Sequence, residues 1–417
     1  MLSPLIIKDR LFYGWVVVIA GLLISAIIFG TRYSFGVFFK SIEAEFNLTR
    51  GTTSGVFSAY MLLCCIFAIL GGWALDRYGP RIVTLLIGLL TGLSLLLTSQ
   101  TTSLWQLFIT YSLLLAIGTG ATYTVVMSTT SRWFKKKRGL ALGIVGTGGG
   151  LGTVIIAPFA TYLISNFDWR MSFIVLGLIC LFFVISLSML LKKDPHEIGT
   201  LPDGAKADAD KIEIESKQAN TQSSDFSLLQ AAKTRNFWLL LVIWLVYSLC
   251  LHLVLTHLVP HVTDIGFSAM QAAVLVSLAS GVCIPSRLLM GWVSDKIGRK
   301  TSIIICSLLK AAAMICLIWS RDLWMLYLFA VIYGFGWGGI DPPIAALIGD
   351  VFGMQNIGII MGALGIGWAI GAAVGPLIGG LIFDFSNSYS MAFLAGAIAM
   401  LILGLSAALI KQGSKAE

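Results

Sequence analysis

GWALDRYGPR, residues 72–81, comes back as GWVSDKIGRK at residues 291–300, and the spacing between the two is the informative part. Gly72 and Gly291, Asp76 and Asp295, and Gly79 and Gly298 each stand 219 residues apart, as do Gly139 and Gly358, and Gly143 and Gly362. Five coincidences at one offset mark an internal duplication, which puts equivalent loops on the same side of the molecule. Around both decapeptides the chain is apolar: 57% of its 417 residues are hydrophobic and 12% charged, against roughly 25% charged in soluble domains. A helix needs about 20 mostly apolar residues to cross ~30 Å of hydrocarbon. Such spans are predicted at 12–38, 53–75, 82–99, 105–131, 139–163, 170–191, 236–262, 270–294, 301–320, 323–347, 356–382 and 390–410. These long unbroken runs exclude a membrane β-barrel, whose strands alternate over about ten residues. The fold class is therefore an all-α polytopic membrane protein with twelve transmembrane helices in two six-helix pseudo-symmetric halves. Parallel halves of this kind belong to secondary transporters, which bind their substrate near the bilayer midplane.

The stretch between the halves has a different composition. Residues 192–235 are polar, mixed in charge and poor in aromatics, which cannot support a packed core. The organisation read is an N-terminal bundle at 1–191, a cytoplasmic linker at 192–235 and a C-terminal bundle at 236–417. Placing the N-terminus in the cytoplasm collects 21 of the 28 Lys and Arg residues on that side, including the RWFKKKR run at 132–138. Both termini are then cytoplasmic, in the plasma (inner) membrane. The net charge of +8 is explained by this topology and by contact with anionic lipid, with no nucleic-acid partner. The first span is too long for a signal peptide and lacks a cleavage site. All seven cysteines fall in predicted spans without metal-ligand or disulfide spacing, as small packing residues do. GTGGGLG at 146–152 resembles a phosphate loop, yet no strand precedes it and no GK[ST] follows. Glycines four apart instead let membrane helices approach closely. No cofactor, metal site or catalytic constellation is read, so an enzyme is not expected.

Charges inside spans carry the function. Arg287 stands eight residues before Asp295, about 12 Å of helix, which puts it near the midplane. A guanidinium there costs from about 3 to more than 10 kcal/mol unless it faces a cavity or an anion. Its planar fork matches a carboxylate. The competing structural reading is a permanent ion pair, for which Asp341 in IDPP (340–343) is the one carboxylate at similar depth. Asp341 either binds a coupling proton, since burial disfavours a carboxylate's charged form, or satisfies backbone freed by Pro342 and Pro343. His257, in THLVPH (256–261), can hydrogen-bond a substrate hydroxyl and carry a proton, or simply be a packed histidine. Asp76 and Asp295 end their spans beside Arg77, Arg81, Arg299 and Lys300, where they can accept N–H bonds from a neighbouring helix and form ion pairs that gate the cytoplasmic side.

GGWALDRYGPR (71–81) and MGWVSDKIGRK (290–300) resemble the loop signature GxxxDxxGR/K of the major facilitator superfamily. YGWVVV (13–18) and WFKKKRGLALGIVGTGGG (133–150) are similar to segments of its monocarboxylate porter family, which includes lactate transporters and oxalate:formate antiporters. The resemblance covers nearly the whole chain. It implies that Arg287, in PSRLLMGWVSDKIG (285–298), binds the substrate carboxylate. It also implies that the first, fourth, seventh and tenth spans line the cavity, which makes the hydroxyls of Tyr33, Tyr123 and Tyr333 candidate substrate contacts together with His257. Mammalian members carry an aspartate one turn before the arginine and a lysine in the first span. Here those positions are Cys283 and Tyr33, so Asp341 or His257 is the candidate proton site. The expected function is proton-coupled symport of a small monocarboxylate such as L-lactate or pyruvate by alternating access, in a monomer. The alternatives are an oxalate/formate-type antiporter, a drug or organic-anion exporter, and a carboxylate-binding membrane sensor.

Overall fold

A computed structural model describes residues 12–134, 138–198, 200, 226–353 and 357–410. Among these, twelve helices are long and apolar enough to cross a bilayer. They are α1 (Tyr13–Glu45), α2 (Arg50–Leu75), α3 (Arg77–Ser99), α4 (Leu104–Trp133), α5 (Leu140–Asn166), α6 (Trp169–Ser188), α7 (Arg235–Asp264), α8 (Ala269–Ile297), α9 (Arg299–Trp319), α10 (Leu323–Phe352), α11 (Ile359–Ser386) and α12 (Ser390–Leu409). The chain is a multi-pass, all-helical membrane protein. The two signature loops, α2–α3 and α8–α9, lie on one face, here called the signature face. Much of the linker, 201–225, and the Lys135–Lys137 run lie outside the described residues. The end of the 192–235 segment folds into a short helix, Leu228–Ala232, opened by a Ser227/Gln230 capping box. The short helix packs on α7 and α11, and just before it the Phe226 N–H donates to the Phe352 carbonyl of α10 at 3.2 Å.

The first helix outruns its predicted span. It continues past a break at Ser34 to Glu45, although Lys40, Glu43 and Glu45 interrupt the apolar run. Each finds an opposite charge: Lys40 on Asp264, Glu43 on Arg50 and Glu45 on Arg170. Ion pairing makes the extra turns tolerable at the membrane surface.

The duplication is visible in backbone and packing. Gly79 and Gly298 hold the same position in the two signature loops, and both have positive φ, +78° and +92°, where a side chain would strain the turn. Helix α5 lies against α1 through a glycine stripe, and α11 lies against α7 in the same way. A Cβ on Gly148 would sit 2.7 Å from the Leu22 carbonyl oxygen, and one on Gly367 would sit 2.7 Å from that of Leu241. Each pair of equivalents is again 219 residues apart. Without a hydrophobic force between helices in lipid, this backbone-to-backbone approach is what holds them together.

Candidate functional site

Arg287 lies 18 residues along α8 from Ala269 and 10 from Ile297, so about 27 Å and 15 Å from its two ends. Its Nη2 pairs with Asp341 Oδ2 of α10. Nη1 donates to the carbonyl of Gly146 at 2.9 Å, and Nε has no hydrogen-bond partner among the described residues. Gly146 ends one segment of α5 where the helix steps at Thr147, so the GTGGGLG glycines serve both close packing and a carbonyl offered to the guanidinium. One arginine therefore joins the first six helices to the last six. At midplane depth the Arg287 and Asp341 side chains are still 29% and 32% exposed, which makes them the lining of an open cavity.

Other groups gather around the pair. Tyr33 and Tyr123 both lie within electrostatic reach of Arg287 and Asp341, and Tyr123 is exposed. Tyr247 donates its hydroxyl to the Trp337 carbonyl at 3.1 Å, and Tyr33 meets the Trp337 ring edge-on at 6.0 Å. Cys283 is buried one turn from Arg287. The carboxylate beside the guanidinium comes from Asp341 of the adjacent helix.

Two predicted site residues depart from the expectation. Tyr333 is fully buried and donates its hydroxyl to the Cys250 carbonyl at 3.0 Å. The tenth span is expected to line the cavity, but the helix turns this side chain toward α7 and α9. His257 is also fully buried. Its Nε2 lies 2.8 Å from the Pro376 carbonyl and its Nδ1 3.1 Å from the Tyr389 hydroxyl. A carbonyl only accepts, so Nε2 carries the proton and Nδ1 accepts from Tyr389. Both ring nitrogens are taken up in this state.

His257 belongs to a seal at the face opposite the signature loops. There Arg50 of α2 donates through Nη1 and Nη2 to the two Asp264 oxygens at 2.5 and 3.1 Å, and through Nη1 to the Tyr389 hydroxyl at 2.7 Å. The Asp384 carboxylate of α11 accepts from the backbone N–H groups of Arg50 and Gly51 at 2.9 and 2.7 Å, capping the positive end of α2. Lys40 adds a contact to Asp264 at 2.6 Å. The network ties α1 and α2 to α7, α11 and α12. With this end closed, the exposure of Arg287 and Asp341 means that the cavity opens toward the signature face.

The seal was not anticipated, because charges at span ends look solvated when only hydropathy is read. His252 of α7 sits where the two sets of helices meet. Its Nδ1–H donates to the Ser248 carbonyl at 2.9 Å, while Nε2 is buried with no hydrogen-bond partner among the described residues. The Tyr33, Phe57 and Trp368 rings surround it, at 6.1, 6.4 and 5.1 Å. The signal was present in the duplication, since Tyr33 and His252 are 219 residues apart and are pseudo-equivalents in contact.

Of the gating candidates, Asp295 pairs with Arg299 one turn on, and Arg299 also reaches Ser294 Oγ at 2.6 Å and Asp350 at 3.6 Å. All of these lie within the last six helices in this state. Lys300 follows in the first turn of α9. Arg77, the first residue of α3, stacks over Trp73 and Tyr78 at 5.6 and 5.7 Å, and Arg81 follows four residues on. Asp76 lies outside the residues whose side chains are described.

The sequence model of the Major Facilitator Superfamily matches residues 21–321 and 283–416, and the chain belongs to that superfamily: it is a transporter of this type, not an enzyme. It is similar to monocarboxylate transporter 13 of Rattus norvegicus, 26% identical over 388 residues covering 92% of this chain and 86% of that one. It is also similar to human monocarboxylate transporter 12, 25% identical with 97% and 82% covered. The MFS-type transporter YhjX of Escherichia coli strain K12 is 24% identical, with 86% and 85% covered. Among solved structures, a bacterial homologue of the human lysosomal transporter Spinster, inward-facing and unoccupied, superposes with a TM-score of 0.73 at 15% identity, covering 96% of both chains.

Proposed function

We propose that the protein carries small monocarboxylates, L-lactate or pyruvate in kind, together with a proton by alternating access. The observation that supports this reading is the Arg287–Asp341 pair at the open end of a midplane cavity. Asp341 occupies the face of the guanidinium that a substrate carboxylate would take, so the two compete. Protonation of Asp341 releases Arg287, which then binds the substrate bidentately. Charge favours the same order. Empty, the pair sums to zero; with an anion on Arg287 and a proton on Asp341 it sums to zero again. An anion without the proton would leave an uncompensated charge near the midplane, which is costly. Tyr33 and Tyr123 border the bound acid from the first six helices.

A single guanidinium suits a monoanion. Of the other deep cations, Arg32 donates to the Tyr60 hydroxyl at 2.9 Å and to Cys64 Sγ at 3.4 Å, and Lys310 is fully buried beneath the Tyr247 and Tyr333 rings at 4.6 and 4.9 Å, its Nζ without a hydrogen-bond partner among the described residues. A dianion such as oxalate would leave its second charge unmatched. With the signature face in the cytoplasm, as the 21 of 28 basic residues favour, the state described is inward-open, and the Arg50–Asp264–Asp384 seal closes the outer end. His257 then acts in that outer gate, while Asp295, Arg299 and Lys300 of the second half and Asp76, Arg77 and Arg81 of the first act in the inner one. The monomer in the plasma (inner) membrane is the working unit.

The test is uptake of labelled L-lactate into proteoliposomes under an imposed inward proton gradient. Gradient-driven uptake by the wild type that Arg287→Ala abolishes is expected. Uptake surviving without Arg287 would remove the site, and uptake only against a preloaded acid would make the protein an exchanger.

A further inference from the structure

The described residues form another cavity at the signature face, about 370 Å³ in volume, remote from Arg287. Its walls are the α2–α3 turn and the chain leaving α6. Arg77, Arg81, Lys192 and Lys193 line it, with Glu197 as the one described carboxylate among the lining residues. Four cations against one anion in a cup of this size repel one another unless an anion joins them. Two are held in place by aromatic groups. Arg77 rests over Trp73 and Tyr78, and Lys192 Nζ lies 4.9 Å from the Tyr13 ring centroid. The Lys192 backbone is fixed by Trp133, whose indole N–H donates to its carbonyl at 3.1 Å. Arg81 and Lys193 form no ion pair with a described carboxylate. Beside Gly79 nothing lies within 4 Å of where a Cβ would stand, which leaves the wall of the cup open.

The rim is apolar. Trp73, Tyr78, Ile82, Met189 and Leu190 are all exposed around it, where the helices leave the hydrocarbon and aromatic side chains sit at the headgroup level. We propose that this cavity binds the headgroup of an anionic phospholipid, with the phosphodiester among Arg77, Arg81, Lys192 and Lys193 and the acyl chains along the rim. The lipid then ties the α2–α3 signature turn to the start of the segment that joins the two halves. A basic pocket between helices is the recognition element such headgroups use. The apolar rim favours a membrane lipid over a soluble phosphate ester.

The experiment places the full-length protein in phosphatidylcholine nanodiscs with and without phosphatidylglycerol and reads the melting temperature. Phosphatidylglycerol should raise the wild-type value by about 2–4 °C. The double variant Lys192→Gln/Lys193→Gln should lose that increment while melting with the wild type in pure phosphatidylcholine. Lys296→Gln, a basic residue of the same face outside the cavity, should keep it. If the double variant does not fold, Arg81→Gln is read in the same way. An increment that survives in the variants, or that Lys296→Gln loses equally, would reduce the effect to general surface attraction and overturn the site. Equal stabilisation by soluble glycerol 3-phosphate in detergent would overturn the lipid as its occupant.

Discussion

Asp341→Asn removes the competitor for Arg287 while leaving the side-chain volume in place. Two unit charges 4 Å apart interact by about 4 kcal/mol at an effective dielectric constant near 20. The Arg287 and Asp341 side chains are 29% and 32% exposed to the cavity, and screening at that exposure brings the pair down to roughly 1–2 kcal/mol. An entering carboxylate has to give up that interaction in the wild type and not in the variant. Anion binding should therefore tighten roughly 5- to 30-fold. Its pH dependence should also flatten, because in the proposed mechanism a proton on Asp341 frees the guanidinium. That mechanism makes wild-type affinity rise as pH falls, and the variant hold its higher affinity across the range. Titration of L-lactate against intrinsic tryptophan fluorescence in detergent at about pH 5.5 and about pH 7.5 measures both, and proteoliposomes should retain exchange while losing gradient-driven accumulation. A well-folded variant that binds no tighter and keeps the wild-type pH dependence would place the proton elsewhere. A variant that no longer binds would make Asp341 a substrate contact and refute the competition argument.

Asp264→Asn leaves Arg50 half-paired at the opposite-face seal and should shift the equilibrium toward the state open at that face by about tenfold, or roughly 1.4 kcal/mol. Thiol labelling of Ser54→Cys, beside His257, should speed up accordingly, and an unchanged rate would remove Arg50–Asp264 from the gate. Gly79→Ala and Gly298→Ala force a Cβ into left-handed backbone and should each destabilise by about 1–2 kcal/mol. Gly55→Ala, with open space around the new atom, should be nearly neutral in the same melting experiment. His252→Phe removes the buried unpartnered Nε2, whose burial costs about 1–3 kcal/mol. The variant should melt at or above the wild-type temperature, and a marked loss of stability would mean that Nε2 has a partner in the folded protein.

Much of the architecture was legible because it rests on local physics. Span length, charge placement and the 219-residue offset are written directly in the chain, and a helix in lipid must satisfy its backbone within itself. The same logic located Arg287 and Asp341, since a charge within an apolar run is conspicuous wherever the helix ends up. Tyr333 and His257 were harder to place because depth along a helix says nothing about azimuth. A rotation of one or two residues carries a hydroxyl from the cavity to the α7–α9 side. Arg50, Asp264 and Asp384 were silent for another reason. At span ends a charge is equally at home in water or in an ion pair, and only the approach of helices far apart in the sequence makes the choice.

The sequence by itself determined that twelve helices cross the membrane, that they form a duplicated pair of six, and that one arginine and one aspartate lie deep within it. Each of these follows from hydrophobic transfer and spacing along a single helix. Only the tertiary structure decided that the two charges meet each other, that Arg287 also reaches the Gly146 carbonyl, that the end opposite the signature loops is sealed, and that His257 belongs to the seal. Those are contacts between helices, set by glycine-lined packing that brings carbonyls and side chains from both halves into register across the midplane.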